Sequence, residues 1–461
     1  MLERSVAEVA AMSGGRVIAG SDAAMVRGVT VDSRRISGGE LFVALPGERF
    51  DGHRFVWKAF ATGCGAAMVS QKIQETQVPT AGALIEVDDT YEGLGRLAAA
   101  HRAGFNFPWT AVTGSCGKST TKELIAMVLA CRGPVLKAEA SFNNRVGVPL
   151  TLLGAGDRHV HAVVELGSNH SGELAPLAKM ASPDVAVITC VAEAHLEGFG
   201  DLDGVAREKG SILDGLKPGG CAVLNADDSY FEQLRERAPG RVVSFGLSPG
   251  ADVRGTDLEI GPEGTGVLLP GGARMTVPLP GIHNVRNALA AAAVGVIHGL
   301  EFAEIAARVA GAQAMHMRSR LVRAGGILLL EDCYNANPAS FLAALEALDG
   351  LGRHRKVVVA GDMAELGRFT EEHHRALGEE ISGRGVSLLI SVGNEARRIS
   401  EAAARSTGRV ESHHFNDVDA AAEVVPGLLR EGDAVLVKGS RSVGLERIVA
   451  AIRSSFGDGG E

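Results

Sequence analysis

Trp109-Thr-Ala-Val-Thr-Gly-Ser-Cys-Gly-Lys-Ser-Thr-Thr121 is the stretch on which the reading of this chain turns. A short apolar run ends in Thr113-Gly114-Ser115-Cys116-Gly117-Lys118-Ser119-Thr120, and a helix-forming run, Lys122 to Leu129, follows. A strand, a glycine turn and a helix N-terminus in that order make a phosphate cradle. Glycines let backbone N–H groups approach phosphate oxygens, and the helix dipole favours the anion. Lys118 is spaced to reach the β- and γ-phosphates, and the Ser119 hydroxyl to ligate Mg²⁺. The strict phosphate-loop pattern also asks for glycine five residues before the Gly-Lys pair. Val112 stands there, so the spacing rule fails while the structural context holds. The competing reading is an ordinary strand-to-helix turn with a chance lysine.

Working outward, the 461 residues suggest about three domains at about 150 residues each. Apolar residues make up 46% of the chain, enough for real cores, and the 60 glycines with only 4% aromatics suit an α/β protein with many tight strand–helix turns. A formal charge of −9 argues against nucleic acid as a partner. The six cysteines are scattered without a C-x-x-C pair, so neither a zinc site nor a disulfide framework is expected, and reduced thiols in a cytoplasmic protein are the simplest reading. The N-terminus has no secretory apolar region, and the longest apolar stretch, Ala288 to Ile297, is too short to span a bilayer.

Apolar runs alternate with helical stretches along the whole chain. Residues 40–45 and 66–70 read as strands and 91–101 as a helix, after which Pro108 marks a boundary. Runs at 161–165, 184–191 and 221–225 predict a mostly parallel sheet, whose ligands bind outside the carboxyl ends of its strands. Residues 241–280, rich in Gly, Pro and β-formers, predict a small antiparallel insert, and a helix returns at 284–299. A third α/β block begins near Arg318, with strands expected at 327–331, 356–360, 387–391 and 434–438. The tail 457–461 reads as frayed.

Polar residues at strand ends are the candidates for chemistry. Glu165 closes a strand and either faces the cradle or is a helix-cap or surface carboxylate. His195 lies just beyond the next strand, where a metal or phosphate role competes with an ordinary core or surface histidine. Lys209 reads by default as a solvated helix lysine. Asn284 is either an N-cap or, with its neighbours, a reader of base or phosphate edges. Asp332-Cys-Tyr-Asn-Ala-Asn-Pro338 carries more polar groups than packing explains, though a turn loop remains an alternative. Asn143 and Asn144 have the same alternative.

In order and spacing, these segments resemble the Mur ligases, ATP-dependent amide-forming enzymes of peptidoglycan synthesis. The resemblance runs through Asp32-Ser-Arg34, Gly39 to Leu45, Asp51-Gly-His53, the cradle, Asn143 to Pro149, Glu165 to His170 and Ala194 to Gly200. It continues through His283-Asn284 with Asn287, Asp332 to Pro338, Gly361-Asp-Met-Ala-Glu-Leu-Gly367 and Val437 to Ser442. The segments at 332–338 and 361–367 favour the branch that adds D-alanyl-D-alanine. Asn337-Pro338 is followed by Ala339 rather than arginine, which lowers the alternative of a ligase adding a diamino acid to UDP-MurNAc-dipeptide. A folate-polyglutamate ligase is more distant. A nucleotide-binding interaction module without ligase activity is the non-enzyme alternative.

The resemblance implies an α/β fold in three domains. Residues 1–107 would form a small α/β domain for the UDP-sugar, 108–314 a central P-loop-type ATPase domain on a mostly parallel sheet, and 315–461 a Rossmann-like α/β ligase domain. The implied reaction joins UDP-N-acetylmuramoyl-tripeptide and D-alanyl-D-alanine through an acyl phosphate, with ATP and Mg²⁺, in a cytoplasmic monomer. Carried over by motif, Lys118 shields phosphates and Thr113 to Thr120 wrap them. Ser119 and Glu165 ligate Mg²⁺, His195 serves a second Mg²⁺, and Lys209 matches the lysine that the family carbamylates. Asn284 and Asn287 contact the nucleotide, Arg318 reaches the γ-phosphate (with Arg320 as a rival), and Asp332 holds the ribose. Ser33 and Arg34 line the UDP site, Asn143 and Asn144 the substrate side, and Asn335 and Asn337 the dipeptide. Ser119 stands where threonine is frequent and Cys333 where serine is common. Cys116 lays the cradle open to oxidation or alkylation.

Overall fold

The computed structural model describes residues 2–47, 50–73, 78, 82–261, 264–352, 355–406 and 410–457; the tail residues 458–461 lie outside the described residues. Three sheets of α/β type follow one another along the chain. The central one has seven strands, in the spatial order 253–254, 241–246, 221–225, 185–188, 109–113, 161–165 and 135–137. Every pairing in it is parallel. Strand Trp109–Thr113 lies inside it, with all five residues buried, as expected where helices cover both faces. From this strand the chain first moves to the 135–137 edge, returns through 161–165, and then passes to the other side at 185–188. The reversal opens a crevice at the carboxyl end of Trp109–Thr113, the switch point at which such sheets bind ligands.

Helices Lys118–Leu129 and Ile282–Ile297 pack together on one face of this sheet. The alanines 288 and 290–293 are fully buried, and their small side chains let the two helices approach closely. At Gly295 an added Cβ would lie 2.9 Å from Val128 Cγ1.

The expected insert at 241–280 is smaller than its composition implied. Arg241–Gly246 and Val253–Arg254 extend the parallel sheet, and only Thr256–Gly261, Gly264–Leu268 and Arg274–Val277 form an antiparallel sheet. Residues Val243 to Gly246 are buried, so this segment behaves as an interior strand despite its glycine-rich surroundings.

The N-terminal sheet has the order 16–20, 83–86, 66–69, 41–43 and 29–30, antiparallel only in its first pair. Helix Thr90–Ala103 fastens it to the central sheet. Arg102 donates from Nε to the Ala181 carbonyl at 2.8 Å and from Nη2 to that of Ser182 at 2.7 Å, with its guanidinium 5.0 Å from the Trp109 ring centroid. The C-terminal sheet has the order 320–324, 327–331, 433–438, 355–361, 388–392 and 411–415, antiparallel only in its first pair. Its strands Ile327–Glu331 and Asp433–Lys438 end facing the crevice of the central sheet. No helix among the described residues is long and apolar enough to cross a membrane.

Candidate active site

The loop after Trp109–Thr113 depends on its glycines. Gly114 has φ +146° and Gly117 φ +77°. A Cβ on Gly114 would sit 2.0 Å from Thr189 Oγ1, and one on Gly117 2.3 Å from Asn287 Oδ1. Both positions exclude any side chain. The loop is laced to the next strand's end: Ser115 N–H donates to the Cys190 carbonyl at 2.9 Å, and Ser115 Oγ donates to that of Ala192 at 2.8 Å. Thr113 Oγ1 donates inward to the Leu166 carbonyl at 2.8 Å and supports the loop from below. Lys118 Nζ donates to the Gly114 carbonyl at 2.7 Å, across the loop that would hold phosphates. Thr120 lines the same wall.

A cavity of about 1000 Å³ opens over this loop, and residues of both the central and the C-terminal units line it. On its floor two buried oxygens, Ser119 Oγ and Glu165 Oε2, have no hydrogen-bond partner among the described residues. The other carboxylate oxygen of Glu165 accepts from Asn143 Nδ2 at 2.8 Å. An orphaned hydroxyl and an orphaned carboxylate oxygen beside a phosphate loop are hard donors of the kind Mg²⁺ takes. These residues fit the ion and would hold it. No group of three or more His, Cys, Asp or Glu that could hold a metal ion occurs among the described residues.

His195 stands at the carboxyl side of strand 185–188 with φ +53°. Its Nδ1 bonds Glu365 Oε2 of the C-terminal unit, so any metal contact falls to Nε2. Lys209 is not solvated. It is fully buried, donates to Ser168 Oγ at 2.9 Å and to the Ser168 carbonyl at 3.1 Å, and lies 4.9 Å from the Phe199 ring centroid. It sits behind Ser168, which lines the cavity. Burial, aided by the nearby charge of Lys118, pushes its ammonium down to about 7. Near neutral pH much of it is the free amine, the form that adds to CO₂.

Asn284 and Asn287 also face the cavity. Asn284 is not the helix N-cap; Gly281 holds that position. Its Nδ2 donates to the Pro280 carbonyl at 2.8 Å, its Oδ1 accepts from Asn287 Nδ2 at 3.0 Å, and Asn287 Oδ1 accepts from Thr121 Oγ1 at 3.2 Å. From the C-terminal unit, Arg318 lies 3.9 Å from the Tyr334 ring centroid on the cavity wall. Arg320 instead points to Glu331 at 3.9 Å and does not line the cavity. Asp332 Oδ1 accepts from Ser319 N–H at 3.0 Å, and its Oδ2 from Lys438 Nζ at 2.6 Å.

The asparagines divide. Asn335 lines the cavity, with its Oδ1 accepting from Ala336 N–H at 2.9 Å. Asn337 caps helix Pro338–Asp349, accepting from Ser340 N–H at 2.8 Å, while its Nδ2 donates to the Ser115 carbonyl at 3.4 Å. Asn144 Oδ1 accepts from Val146 and Gly147 N–H at the start of helix Gly147–Leu153, off the cavity. Ser33 and Arg34 belong to the N-terminal unit and do not line this cavity. Arg34 pairs with Asp32 at 2.8 Å, and that guanidinium holds the Asp32 carboxyl down at about 2.

Polar residues that sequence reasoning did not single out also line the cavity, among them Lys438, Asp227, Arg286 and Glu365. Lys438 is buried at a strand end. Asp227 and Arg286 pair at 2.8 Å, and Glu365 reaches His195. Lys438 and Glu365 were within reach, since each lies in a segment already noted for its resemblance.

Family models match the chain in the same order as its sheets: "Mur ligase family, catalytic domain" over residues 25–102, "Mur ligase middle domain" over 112–295 and "Mur ligase, glutamate ligase domain" over 317–441. The UDP-N-acetylmuramoyl-tripeptide–D-alanyl-D-alanine ligase of Escherichia coli K12 is 38% identical over 93% of this chain and 94% of its own length. The chain belongs to the Mur ligase family. Among solved structures, a crystal structure of MurF from Acinetobacter baumannii superposes with a TM-score of 0.90 at 31% identity, covering 98% of this chain and 99% of that one. MurF from Thermotoga maritima, solved in complex with ADP, superposes at 0.82 with 27% identity, covering 94% and 98%. As a Mur ligase this chain has the three-part α/β architecture that its sequence implied.

Proposed function

We propose that this Mur ligase joins D-alanyl-D-alanine to UDP-N-acetylmuramoyl-tripeptide at the expense of ATP, in peptidoglycan precursor synthesis. The observation that carries the reading is the meeting of two half-sites. The central unit brings Lys118, Ser119 and Glu165, and the C-terminal unit brings Arg318, Asp332 and Lys438 to the opposite wall of one cavity. The substrates follow from the full-length likeness to ligases of that name.

The chemistry follows from charge. The terminal carboxylate of the tripeptide attacks the γ-phosphorus of ATP, the bond to the β,γ-bridging oxygen breaks, and ADP leaves. The amine of D-alanyl-D-alanine then attacks the acyl carbon, phosphate leaves, and the amine proton passes to solvent. Since the first step brings two anions together, positive charge dominates catalysis. Lys118 and Arg318 supply it from opposite walls. Mg²⁺, held by Ser119 and Glu165 with Asn143 aligning the carboxylate, would neutralise phosphate charge when bound. Asn284 and Asn287 shape the nucleotide side, and Asp332, fixed by Lys438, faces the ribose. His195 and a carbamylated Lys209 would serve a second Mg²⁺; a carbamate resonance from ¹³C-bicarbonate, absent in Lys209→Ala, tests this. Ser33 and Arg34 take the UDP end, and Asn335 is better placed than Asn337 for the dipeptide, because Asn337 is already engaged on both sides of its amide. The functional units are 1–107, 108–314 and 315–461, in a cytoplasmic monomer.

The deciding experiment incubates the purified protein with ATP, Mg²⁺, UDP-MurNAc-tripeptide and D-alanyl-D-alanine. Phosphate release that needs both acceptor and donor is the expected result. Release that needs a diamino acid and UDP-MurNAc-dipeptide instead moves the chain to the sibling activity.

A further inference from the structure

Cys116 and Cys190 are thiols for which the reaction above has no task. One belongs to the phosphate loop and the other follows strand 185–188, and both line the nucleotide cavity. Backbone contacts hold the two segments together. Ser115 N–H donates to the Cys190 carbonyl at 2.9 Å, and Thr189 Oγ1 donates to the Cys116 carbonyl at 2.5 Å. Cys190 Sγ lies 3.8 Å from that same Cys116 carbonyl. On its other side Cys116 Sγ is 3.3 Å from Asn337 Oδ1. The two cysteines thus sit on backbone segments held side by side, and both line the cavity. By contrast, Cys64, Cys221 and Cys333 are buried in apolar packing.

We propose that peroxide closes a Cys116–Cys190 disulfide inside the nucleotide cavity and that this bond excludes ATP while it lasts. The inference rests on the nucleotide reading above. The Cys116 sulfur is the attacking one: the neighbouring Cys190 thiol, and after it the charges of Lys118 and Lys438, favour its anion and raise its acidity. The thiolate attacks one oxygen of hydrogen peroxide, the O–O bond breaks, and hydroxide leaves as Cys116 becomes a sulfenic acid. The Cys190 sulfur then attacks Cys116. The S–S bond forms, the S–O bond breaks, and the departing hydroxide takes the Cys190 proton as water. Two thiols are oxidised by two electrons, and one peroxide is reduced to two waters. A dithiol reverses the bond by exchange.

Exclusion follows from the loop's packing. A disulfide fixes its two Cβ atoms at about 3.8 Å. Gly114 has no room to move toward Thr189, where an added Cβ would already lie at 2.0 Å. A cross-link at Cys116 bears directly on residues 115–118, whose N–H groups would hold phosphate.

The test uses the full chain. Reduced protein is exposed to hydrogen peroxide with and without Mg²⁺–ATP, remaining thiols are alkylated, and peptides are mapped by mass. Retention of labelled ATP is measured by equilibrium dialysis before oxidation, after it, and after dithiothreitol. The expected result is a cross-linked 116–190 peptide lighter by two hydrogens, slower to form with ATP present, with ATP retention lost on oxidation and regained on reduction. In Cys190→Ser, compared with its own reduced form, peroxide should leave oxygen adducts on Cys116 and no cross-link. Free thiols at both positions after peroxide, or cross-linked protein that retains ATP as well as reduced protein does, would overturn the proposal. Reduced protein that never retains ATP overturns the nucleotide reading and the exclusion with it, while the peptide masses still decide the cross-link.

Discussion

His195 and Glu365 meet across the seam between the central and C-terminal units, Nδ1 to Oε2, each from a left-handed backbone conformation (φ +53° and +62°). Neither is glycine, so each conformation costs on the order of 1 kcal/mol and persists because its surroundings hold it. The seam continues in the backbone: Glu197 N–H donates to the Glu365 carbonyl at 3.1 Å, and Gly367 packs so close that an added Cβ would lie 3.2 Å from Glu197 Cα. The C-terminal unit therefore orients the histidine at the central unit's strand end. Glu365→Ala should lower kcat by about ten-fold, the effect of losing one charge-assisted hydrogen bond, and leave the KM for ATP nearly unchanged. Glu365→Gln should recover part of the loss. Amide exchange at 195–199 should quicken in the alanine variant; unchanged exchange would mean that the contact does not hold the seam.

Gly117 and Lys118 separate shape from charge in the phosphate loop. Gly117→Ala places a methyl 2.3 Å from Asn287 Oδ1 at φ +77°, so the loop must shift, and nucleotide affinity should fall at least about ten-fold, roughly 1.4 kcal/mol. Lys118→Ala removes only the bond to the Gly114 carbonyl. Its melting temperature should move by no more than about 2 °C, while kcat/KM falls about 10²- to 10³-fold. Calorimetry and initial rates on the two variants check both statements. A Lys118→Ala enzyme turning over at the normal rate would remove the lysine from the mechanism.

What could be read from the sequence was local. The strand, turn and helix of residues 109–129 declare themselves because glycine, lysine and hydroxyl sit at short fixed spacings. The strands ending at Glu165, Glu331 and Lys438 declare themselves as apolar runs. What could not be read depends on contacts between residues far apart in the chain. Lys438 reaches Asp332, Asn337 reaches Ser115, and Glu365 reaches His195 only after the C-terminal sheet has folded and docked. Lys209 looked like a solvated lysine because its helix, 202–210, carries several charges, and its burial against Ser168 comes from tertiary packing. Strand 241–246 was hidden by glycines and prolines on its C-terminal side, since composition averaged over a window cannot separate an interior strand from the insert beside it.

His283 gives the fold an acid limit. It lies under the C-terminal unit, its Nε2 3.3 Å from Ser319 Oγ, and burial pushes its imidazole from 6.5 down to about 4 although Asp332 pulls the other way. Above pH about 6.5 the ring is neutral in both folded and unfolded chains, and there is no cost. Between about 6.5 and 4 the unfolded chain binds a proton that the folded one does not, so stability falls as pH falls, and below about 4 the cost is fully developed. At pH about 5 this amounts to at most about 2 kcal/mol. Urea unfolding of the parent and of His283→Gln at pH about 7.5 and about 5 should show the smaller acid loss in the variant. Equal losses would assign the acid limit to other groups.

Glu165 sets stability and function against each other. Its Oε1 is held by Asn143, but its Oε2, like Ser119 Oγ, is buried without a partner among the described residues. A buried, half-satisfied carboxylate destabilises a fold unless a cation joins it. Glu165→Gln keeps the Asn143 contact and removes the charge. In the absence of ligands its melting temperature should therefore match or exceed that of the parent. With Mg²⁺–ATP at about a hundred times its Kd, the parent should gain about 2.7 kcal/mol of stability, and the variant should gain little. Its turnover should fall by at least about 10²-fold. Chelating Mg²⁺ from the parent should give the same inactive, folded protein, because no sheet contact runs through the site. Thermal melts of both proteins with ATP, with and without Mg²⁺, read all of this in one series. If the variant is stabilised by Mg²⁺–ATP as strongly as the parent, Glu165 does not hold the ion, and the two orphaned oxygens need another explanation.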